Sequence, residues 1–277
     1  MMRLFTIPAL VLIPACVVGH VGSGDAATET RDIDGATGIV SSTMVHVTVS
    51  PGEQRSFELT CDDNLLDEIE VEVESDGMLI VRATPGVTLL PRTDCTAEVV
   101  LPELFEARSD GSGGLEVVGD FPMLARVGSD GSGALVVDGT AGALTDVDSH
   151  GSGAVEIAHA IAPEACGLAV LHTGSGRVVI DELEACNLEV VSSGSGGNDI
   201  RGQIDSVAID LSGSGGVKQE GLVAREADIT ISGSGGVEMT VVESLRARLS
   251  GSGGATIHGD PSERDIQETG SGRVRFE

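Results

Sequence analysis

The sequence contains no tryptophan and no tyrosine, and it has only five phenylalanines among 277 residues. Large aromatic side chains normally supply much of the buried area of a protein core. A core made mainly of valine, isoleucine, leucine and alanine must instead stack small branched side chains in regular layers. Glycine is abundant, with 39 residues. Together these features favour a repetitive β-structure.

Positive charge is also scarce, because 16 Lys and Arg face 44 Asp and Glu and give a formal net charge of −28. Nucleic-acid-binding proteins neutralise phosphates with lysine and arginine, and the same groups attract anionic lipid headgroups. The composition therefore argues against a nucleic-acid partner and against adsorption on a membrane surface. A solvated acidic surface is the simpler interpretation, and a site for a cation or a basic partner is the alternative.

The first residues are typical of an export signal. A single arginine precedes an apolar stretch over residues 4–15, which is too short to span a bilayer as a helix. The stretch ends in Leu-Ile-Pro-Ala-Cys at residues 12–16, which resembles a bacterial lipobox. We therefore expect Cys16 to be lipidated and to attach the protein to the outer membrane. A plain secretory signal, cleaved near Ala26 or Ala27, is the alternative and would give a periplasmic or secreted protein.

The tripeptide Gly-Ser-Gly recurs at nearly constant spacing in the second part of the chain. Successive copies lie 18 to 23 residues apart and alternate with β-branched residues, whereas a flexible linker would keep no such phase. Nine copies begin at Gly111, Gly131, Gly151, Gly174, Gly194, Gly213, Gly233, Gly251 and Gly270.

Apolar residues alternate on both sides of each tripeptide. The position four residues before the first glycine is apolar in all nine repeats, as at Val127 and Ile229. The fifth and seventh positions of the repeat are apolar with one polar exception each, Asn198 and Gln219, and the sixth is mostly polar. This alternation predicts a half-buried strand before and after every tripeptide.

Repeats this short cannot bury their own apolar faces, so they must stack on one another. We therefore predict an all-β fold, a right-handed parallel β-helix with coils of roughly 20 residues. At the spacing of about 4.8 Å between neighbouring strands, eight intervals give a column of about 38 Å. Glycine at the corners is expected to serve two needs, a positive φ and the lack of space for a Cβ between coils. The serines between them would form a ladder along one edge.

Five cysteines are present, and setting Cys16 aside leaves an even number, which suits disulfides in an oxidising compartment. Two of the remaining four, Cys166 and Cys186, lie eight residues before the tripeptides at Gly174 and Gly194. They therefore occupy the same slot of adjacent coils, within the reach of a disulfide. We predict the bonds Cys166–Cys186 and Cys61–Cys95, with two buried free thiols as the alternative to the first.

The chain is expected to have three parts. Residues 1–27 form the signal and the start of a tether. Residues 28–104 lack the tripeptide but read as strands and turns, including a hairpin signal around residues 69–81, and are expected to cap the first coil. Residues 105–277 form the repeated coils, and 28–277 make one continuous domain.

The sequence resembles the bacterial "putative auto-transporter adhesin, head GIN domain" family (DUF2807). The similar features are an N-terminal strand region, Pro-Glu-Leu at residues 102–104, repeated Ser-Gly-Ser-Gly coils and the ending His-Gly-Asp-Pro at residues 258–261 followed by a last Gly-Ser-Gly. The resemblance covers about residues 35–277. It implies a right-handed β-helix on the cell surface or in the periplasm, and it assigns no site residues.

Motifs for catalysis or cofactor binding are absent from the sequence. No nucleophile elbow, dinucleotide fingerprint or Walker A loop occurs. The histidines show no ligand spacing, so solvated or locally bonded rings are expected at His150, His159, His172 and His258. We therefore expect no catalytic, cofactor or metal site.

Two acidic groups raise competing hypotheses. Asp110 and Asp130 lie at equivalent positions of adjacent coils with Asp148 nearby, which would suit calcium, but the period does not match that of calcium-binding β-rolls. Asp181, Glu182 and Glu184 could act as acid–base pairs in a polysaccharide-cleaving β-helix enzyme, yet on an outward face they are expected to be solvating charges. Both groups of acids are therefore expected to be solvated surface groups.

The favoured function is that of a non-enzymatic envelope or surface protein, an adhesin or interaction scaffold that displays rigid β-faces to an envelope or extracellular protein or a glycan. The alternative is a secreted or periplasmic protein that binds or cleaves polysaccharide. Coil lengths that vary so little leave no long loops for the walls of an enzyme cleft, and this favours the first interpretation.

Overall fold

The computed structural model describes residues 18–163 and 167–277. Nearly all secondary structure in these ranges is β-strand, apart from one turn of 3-10 helix at Leu66–Glu68. Within the same ranges, no helix has the length and apolar character needed to cross a membrane.

The repeated part forms a parallel β-solenoid, which confirms the predicted fold. Each strand pairs in parallel with the strand one coil later, and the predicted columns lie side by side: Ala107 pairs with Val127, Val127 with Val147 and Val147 with Val170. The strands are β10 (Glu106–Ser109), β11 (Leu115–Val118), β12 (Arg126–Ser129), β13 (Leu135–Ala141), β14 (Asp146–Ser149), β15 (Ala154–Ile161), β16 (Leu168–His172), β17 (Arg177–Glu184), β18 (Asn187–Ser192), β19 (Gly197–Leu211), β20 (Gly216–Ile231), β21 (Gly236–Leu249), β22 (Gly254–His258), β23 (Glu263–Glu268) and β24 (Val274–Phe276).

The N-terminal part adds two further layers to the same stack. Strands β3 and β4 pair with β10 and β11 on one side and with β7 and β9 on the other, always in parallel. Antiparallel pairs β2–β5, β5–β9 and β6–β7 surround these layers, and β6–β7 is the predicted hairpin. The strands are β1 (Val18–Val21), β2 (Ala26–Thr30), β3 (Gly38–Ser42), β4 (His46–Pro51), β5 (Ser56–Asp62), β6 (Ile69–Val73), β7 (Met78–Ala83), β8 (Val87–Leu90) and β9 (Thr96–Leu101).

Two long parallel sheets result. Sheet A contains the strands that lead into the corners, namely β7, β3, β10, β12, β14, β16, β18, the C-terminal halves of β19–β21, and β23. Sheet B contains the strands that leave the corners, namely β9, β4, β11, β13, β15, β17, the N-terminal halves of β19–β21, β22 and β24. The apolar columns of both sheets face one continuous core, in which Phe57 and Phe121 are the largest fully buried side chains.

The corner glycines are required by close stacking, and the expectation of a positive φ is wrong for them. None of the glycines in the nine tripeptides has a positive φ. A Cβ built on Gly133 would instead lie 1.8 Å from the carbonyl oxygen of Gly113 in the preceding coil. Positive φ values occur at other turns, such as Gly119 (84°) and Gly259 (101°). The serine of each tripeptide is exposed, as expected for a ladder along one edge.

The Cys61–Cys95 disulfide is present, with a Cα–Cα distance of 4.3 Å, and it confirms that prediction. Beside it, the buried carboxylate of Asp62 accepts hydrogen bonds from the backbone N–H groups of Gly24, Arg92 and Thr93. Burial alone would raise the pKa of Asp62, but these hydrogen bonds outweigh it and the pKa is lowered. The disulfide and the hydrogen bonds to Asp62 together hold the N-terminal strands in place.

Candidate functional site

An open groove of about 820 Å³ runs along the outer surface of sheet A, parallel to the axis of the solenoid. Six successive strands, β16, β18, β19, β20, β21 and β23, each contribute the residues at their N-terminal end or, in the long strands, just after the bend into sheet A. Five intervals of about 4.8 Å give the groove a length of about 24 Å. Its size suits an extended segment of a partner.

Two columns of outward-facing side chains line the groove, because residues at the same position of neighbouring coils lie side by side. Between the columns lies a row of buried apolar residues that belongs to the core, such as Leu188 and Leu245. The first column is mainly polar and the second mixes small and charged side chains. They comprise Asn187, Ser206, Glu226, Ser244 and Glu263, and Ala169, Glu189, Ala208, Asp228, Arg246 and Asp265.

Only some of the charged side chains in the groove have a partner of opposite charge. Arg246 forms ion pairs with Asp228 and Asp265, at 3.5 and 3.6 Å. Glu189 and Glu226 are exposed, and none of the ion pairs formed among residues 18–163 and 167–277 involves either of them. The groove therefore presents free carboxylates beside hydroxyl and amide groups. Such a surface suits a partner that brings positive charge or hydrogen-bond donors.

A row of buried polar side chains lies inside sheet A, next to the corners. His172 is fully buried, and its Nδ1 lies 3.2 Å from Oδ1 of Asn198, the polar exception of the fifth column. Burial lowers the pKa of His172, and His150 adds to this effect, against the hydrogen bond to Asn198. The histidine is therefore locally bonded, one of the two expected states. The other members of the row are Ser41, Ser109, Ser129, Ser149 and Ser192.

The aspartates of the calcium hypothesis are held by basic side chains. Arg108 lies 2.7 Å from Asp130 and 3.6 Å from Asp110, and His150 lies 3.1 Å from Asp130. Burial and the neighbouring Asp130 raise the pKa of Asp110, although Arg108 opposes the shift. A cation here would have to displace a guanidinium, so the arrangement does not favour calcium.

The acids of the enzyme hypothesis are divided between two environments. Asp181 pairs with Arg201 at 2.8 Å. Glu182 and Glu184 lie instead beside His159, whose Nε2 is 3.1 Å from Glu184. Sequence reasoning grouped Glu182 with Glu184 but missed His159, because the histidine is distant from both glutamates in the sequence. The available signal was the offset of 23 residues between His159 and Glu182, which equals the local coil length.

The remaining cysteines are only partly described. Cys186 is exposed. Leu168 and Leu188, each two residues after one of the cysteines predicted to be bonded, pair with each other on adjacent strands. Cys16 and Cys166 lie outside the described residues. Lipidation of Cys16 and the Cys166–Cys186 bond therefore stay predictions.

Comparison with known families gives two overlapping matches to one family model. The model is that of "Putative auto-transporter adhesin, head GIN domain", and it matches residues 36–165 and residues 129–261. A search of curated proteins returned no match.

Several solved structures are similar over almost the whole chain. A "putative adhesin" from Parabacteroides merdae is 19% identical with a TM-score of 0.66, and the match covers 93% of this chain and 99% of that chain. A "putative lipid binding protein" from Parabacteroides distasonis is 20% identical with a TM-score of 0.63 and coverage of 92% and 99%. A "putative adhesin" from Bacteroides fragilis is 17% identical with a TM-score of 0.54 and coverage of 94% and 100%. At such identities the similarity shows a shared fold.

Proposed function

Because this chain belongs to the family of auto-transporter adhesin head GIN domains, we propose that it is a non-enzymatic adhesin of the cell envelope or surface that binds its partner in the groove of sheet A. Family membership and the Cys61–Cys95 disulfide support an exported, adhesin-like protein. The groove residues, the partner and the means of attachment are the parts that this proposal adds.

The observation that carries the proposal is the excess of carboxylates over arginines in the groove. Five carboxylates, those of Glu189, Glu226, Asp228, Glu263 and Asp265, line it beside two arginines. Tryptophan and tyrosine, the usual platforms for sugar rings, do not occur in the chain. Electrostatic complementarity steers a binding surface toward a partner of opposite sign. We therefore propose an extended, basic segment of an envelope or extracellular protein as the partner.

Attachment is proposed to occur through a lipid on Cys16. The lipobox-like segment at residues 12–16 supports this. Since β1 begins at Val18 and pairs with β8, and β2 pairs with β5, a lipid on Cys16 would hold the folded domain close to the membrane, without a long tether. Metabolic labelling with palmitate tests this part by itself. Incorporation that is lost in Cys16→Ser supports a lipoprotein, whereas an unlabelled, processed protein would indicate cleavage near Ala26 or Ala27.

Binding in the groove is tested with a double variant, Glu189→Gln with Glu226→Gln, which removes two of the three groove carboxylates that form no ion pair and keeps the size of the side chains. A lysine-rich extended peptide serves as the probe, and affinity is measured by fluorescence anisotropy at low and physiological salt. We expect the variant to bind at least fivefold more weakly than the unmodified chain, and the difference to shrink as salt screens the charges.

The matched control is Glu53→Gln with Glu58→Gln, which removes two exposed acids outside the groove. It lowers the net negative charge by the same amount, so equal weakening in both variants would show binding to overall charge and would refute the groove. Binding to neutral glycans on an array, with no binding of the peptide, would favour the polysaccharide alternative. Depolymerisation of a glycan would overturn the non-enzymatic assignment.

A further inference from the structure

His159, Glu182 and Glu184 form a cluster on the outer surface of the solenoid, away from the groove. His159 lies on β15 and the two glutamates on β17, and the parallel register places His159 directly opposite Glu182. Glu184 follows two residues later and therefore points to the same side of the strand. The backbone pairing of adjacent coils thus fixes the three side chains as neighbours.

The donor atoms of the cluster are close enough to share one cation. One ligand atom from each residue lies within 4.8 Å of the other two, and Nε2 of His159 is 3.1 Å from Oε1 of Glu184. Imidazole nitrogen and carboxylate oxygen bind Zn²⁺ at about 2.0–2.2 Å. Small rotations of exposed glutamates are enough to reach such distances. Calcium and magnesium prefer oxygen ligands, so the imidazole favours a transition metal.

The imidazole is also oriented from its other side. The hydroxyl of Thr140 lies 3.5 Å from Nδ1 of His159, and the backbone N–H of Thr140 donates a hydrogen bond to Asp120 at 2.8 Å. A histidine ligand typically donates its second N–H to an oxygen, which fixes the ring and the tautomer. With Nδ1 protonated and facing Thr140, Nε2 keeps its lone pair for the cation.

The two glutamates have no competing basic partner in the part of the chain that the structure describes. The nearby guanidinium of Arg201 is bound to Asp181 and Asp199, at 2.8 and 3.1 Å. Apart from the buried His172, the other histidines of the described ranges each pair with a single carboxylate, as His258 does with Glu238 at 3.1 Å. Within those ranges, however, His159, Glu182 and Glu184 are the one group in which three such ligands converge.

From this geometry we infer that His159, Glu182 and Glu184 bind one divalent transition-metal cation, Zn²⁺ in the first instance. The cation joins β15 to β17 and so connects two adjacent coils. Water completes the coordination, because half-buried His159 and the two exposed glutamates leave positions open to solvent. The site does not depend on the groove or on the partner proposed for it.

The test is a calorimetric titration of the EDTA-treated full chain with ZnCl2, in excess Mg²⁺ to occupy weak carboxylate sites. We expect one Zn²⁺ per chain, and at least tenfold weaker binding in His159→Ala and in Glu182→Gln with Glu184→Gln. His258→Ala is the matched control and should bind as the unmodified chain does, because it removes a histidine that faces a single carboxylate. Zn²⁺ should also raise the thermal midpoint of the unmodified chain more than that of either cluster variant.

Cys186 lies two residues beyond Glu184 and is exposed, so its thiolate is the main competing ligand. The variant Cys186→Ser separates the two explanations. Retained binding in Cys186→Ser, with loss in His159→Ala, supports the site. Loss in Cys186→Ser, or unchanged binding in His159→Ala and in the glutamate variant, would overturn it. Circular dichroism of each variant identifies any that fails to fold, and the remaining variants then decide.

Discussion

His172 and Asn198 are two polar residues placed among apolar neighbours, and the fold joins them to each other. Each replaces a smaller or apolar residue of its column: Ser149 and Ser192 lie on either side of His172 in sheet A. Nε2 of His172 and Nδ2 of Asn198 are buried without a hydrogen-bond partner among the described residues. A buried group of this kind costs about 1–3 kcal/mol. The pair is therefore a local weakness of the core.

This pair predicts a specific dependence of stability on pH. Since the pKa of buried His172 is lowered, the unfolded chain binds a proton below about pH 6.5 that the native protein does not. The stability that depends on a neutral His172 is therefore fully present above about pH 6.5 and decreases as the pH falls below it. We expect His172→Ser with Asn198→Val, which restores the residues of neighbouring coils, to show a smaller fall in thermal midpoint between pH 7.5 and about 5.5. The exposed histidine variant His46→Asn is the control, and equal falls in all three proteins would contradict the prediction.

At the scale of the structural element, the corner decides which residues the repeat can use. Adjacent glycines of one corner face different surroundings: a Cβ on Gly235 would lie 1.8 Å from the carbonyl oxygen of Gly215, whereas a Cβ on Gly236 would lie 3.5 Å from that of Gly254. The first distance is impossible without moving backbone, and the second is an ordinary contact. The tripeptide is therefore maintained by the spacing of the coils.

The corner predicts opposite outcomes for two neighbouring substitutions. Gly235→Ala should destabilise the protein by about 3 kcal/mol or more, because the added methyl group has to separate two paired coils. Gly236→Ala should change the free energy of unfolding by less than about 1 kcal/mol, since its methyl group has space. Thermal melts followed by circular dichroism compare the two. Similar midpoints for both variants would show that the coils adjust and that the stacking argument is wrong.

At the scale of the whole molecule, charge works against the compact stack. Arginines form ion pairs between coils, such as Arg126 with Glu106 and Arg177 with Glu156, but 16 basic residues cannot balance 44 acidic ones. Exposed ion pairs each contribute about 0–1 kcal/mol. The uncompensated carboxylates repel one another along the whole length of the solenoid. Repulsion should therefore exceed the attraction between the pairs.

This balance predicts that added salt stabilises the protein. Raising NaCl from about 0.01 to 0.5 M shortens the Debye length from about 30 Å to less than 8 Å, so the repulsion between distant carboxylates is screened. We expect the thermal midpoint to rise with NaCl at neutral pH. Thermal melts in NaCl and in KCl, without denaturant, distinguish screening from binding of a particular ion, because screening gives the same midpoint in both salts. A midpoint that falls with salt would mean that the ion pairs between coils dominate.

The sequence by itself determined the solenoid, because the phased tripeptide and the alternation around it leave one way to bury the apolar columns. It also predicted the Cys61–Cys95 bond, from the even number of cysteines and the position of these two in the N-terminal part, and it predicted the exposed serine edge. Two reasons were predicted for the corner glycines. The lack of space for a Cβ between coils is confirmed, and the need for a positive φ is wrong.

Only the tertiary structure decided which polar residues meet. The tripeptide spacing gives the length of each coil, but the strand register shifts in several pairs, and only the observed pairing of β15 with β17 places His159 opposite Glu182. The N-terminal layers were equally hidden, because β3 lies between β7 and β10, strands that are both later in the chain. The groove likewise needs six successive strands of sheet A side by side. Periodicity fixes which residues share a column, whereas packing fixes the shape of the surface that those columns form.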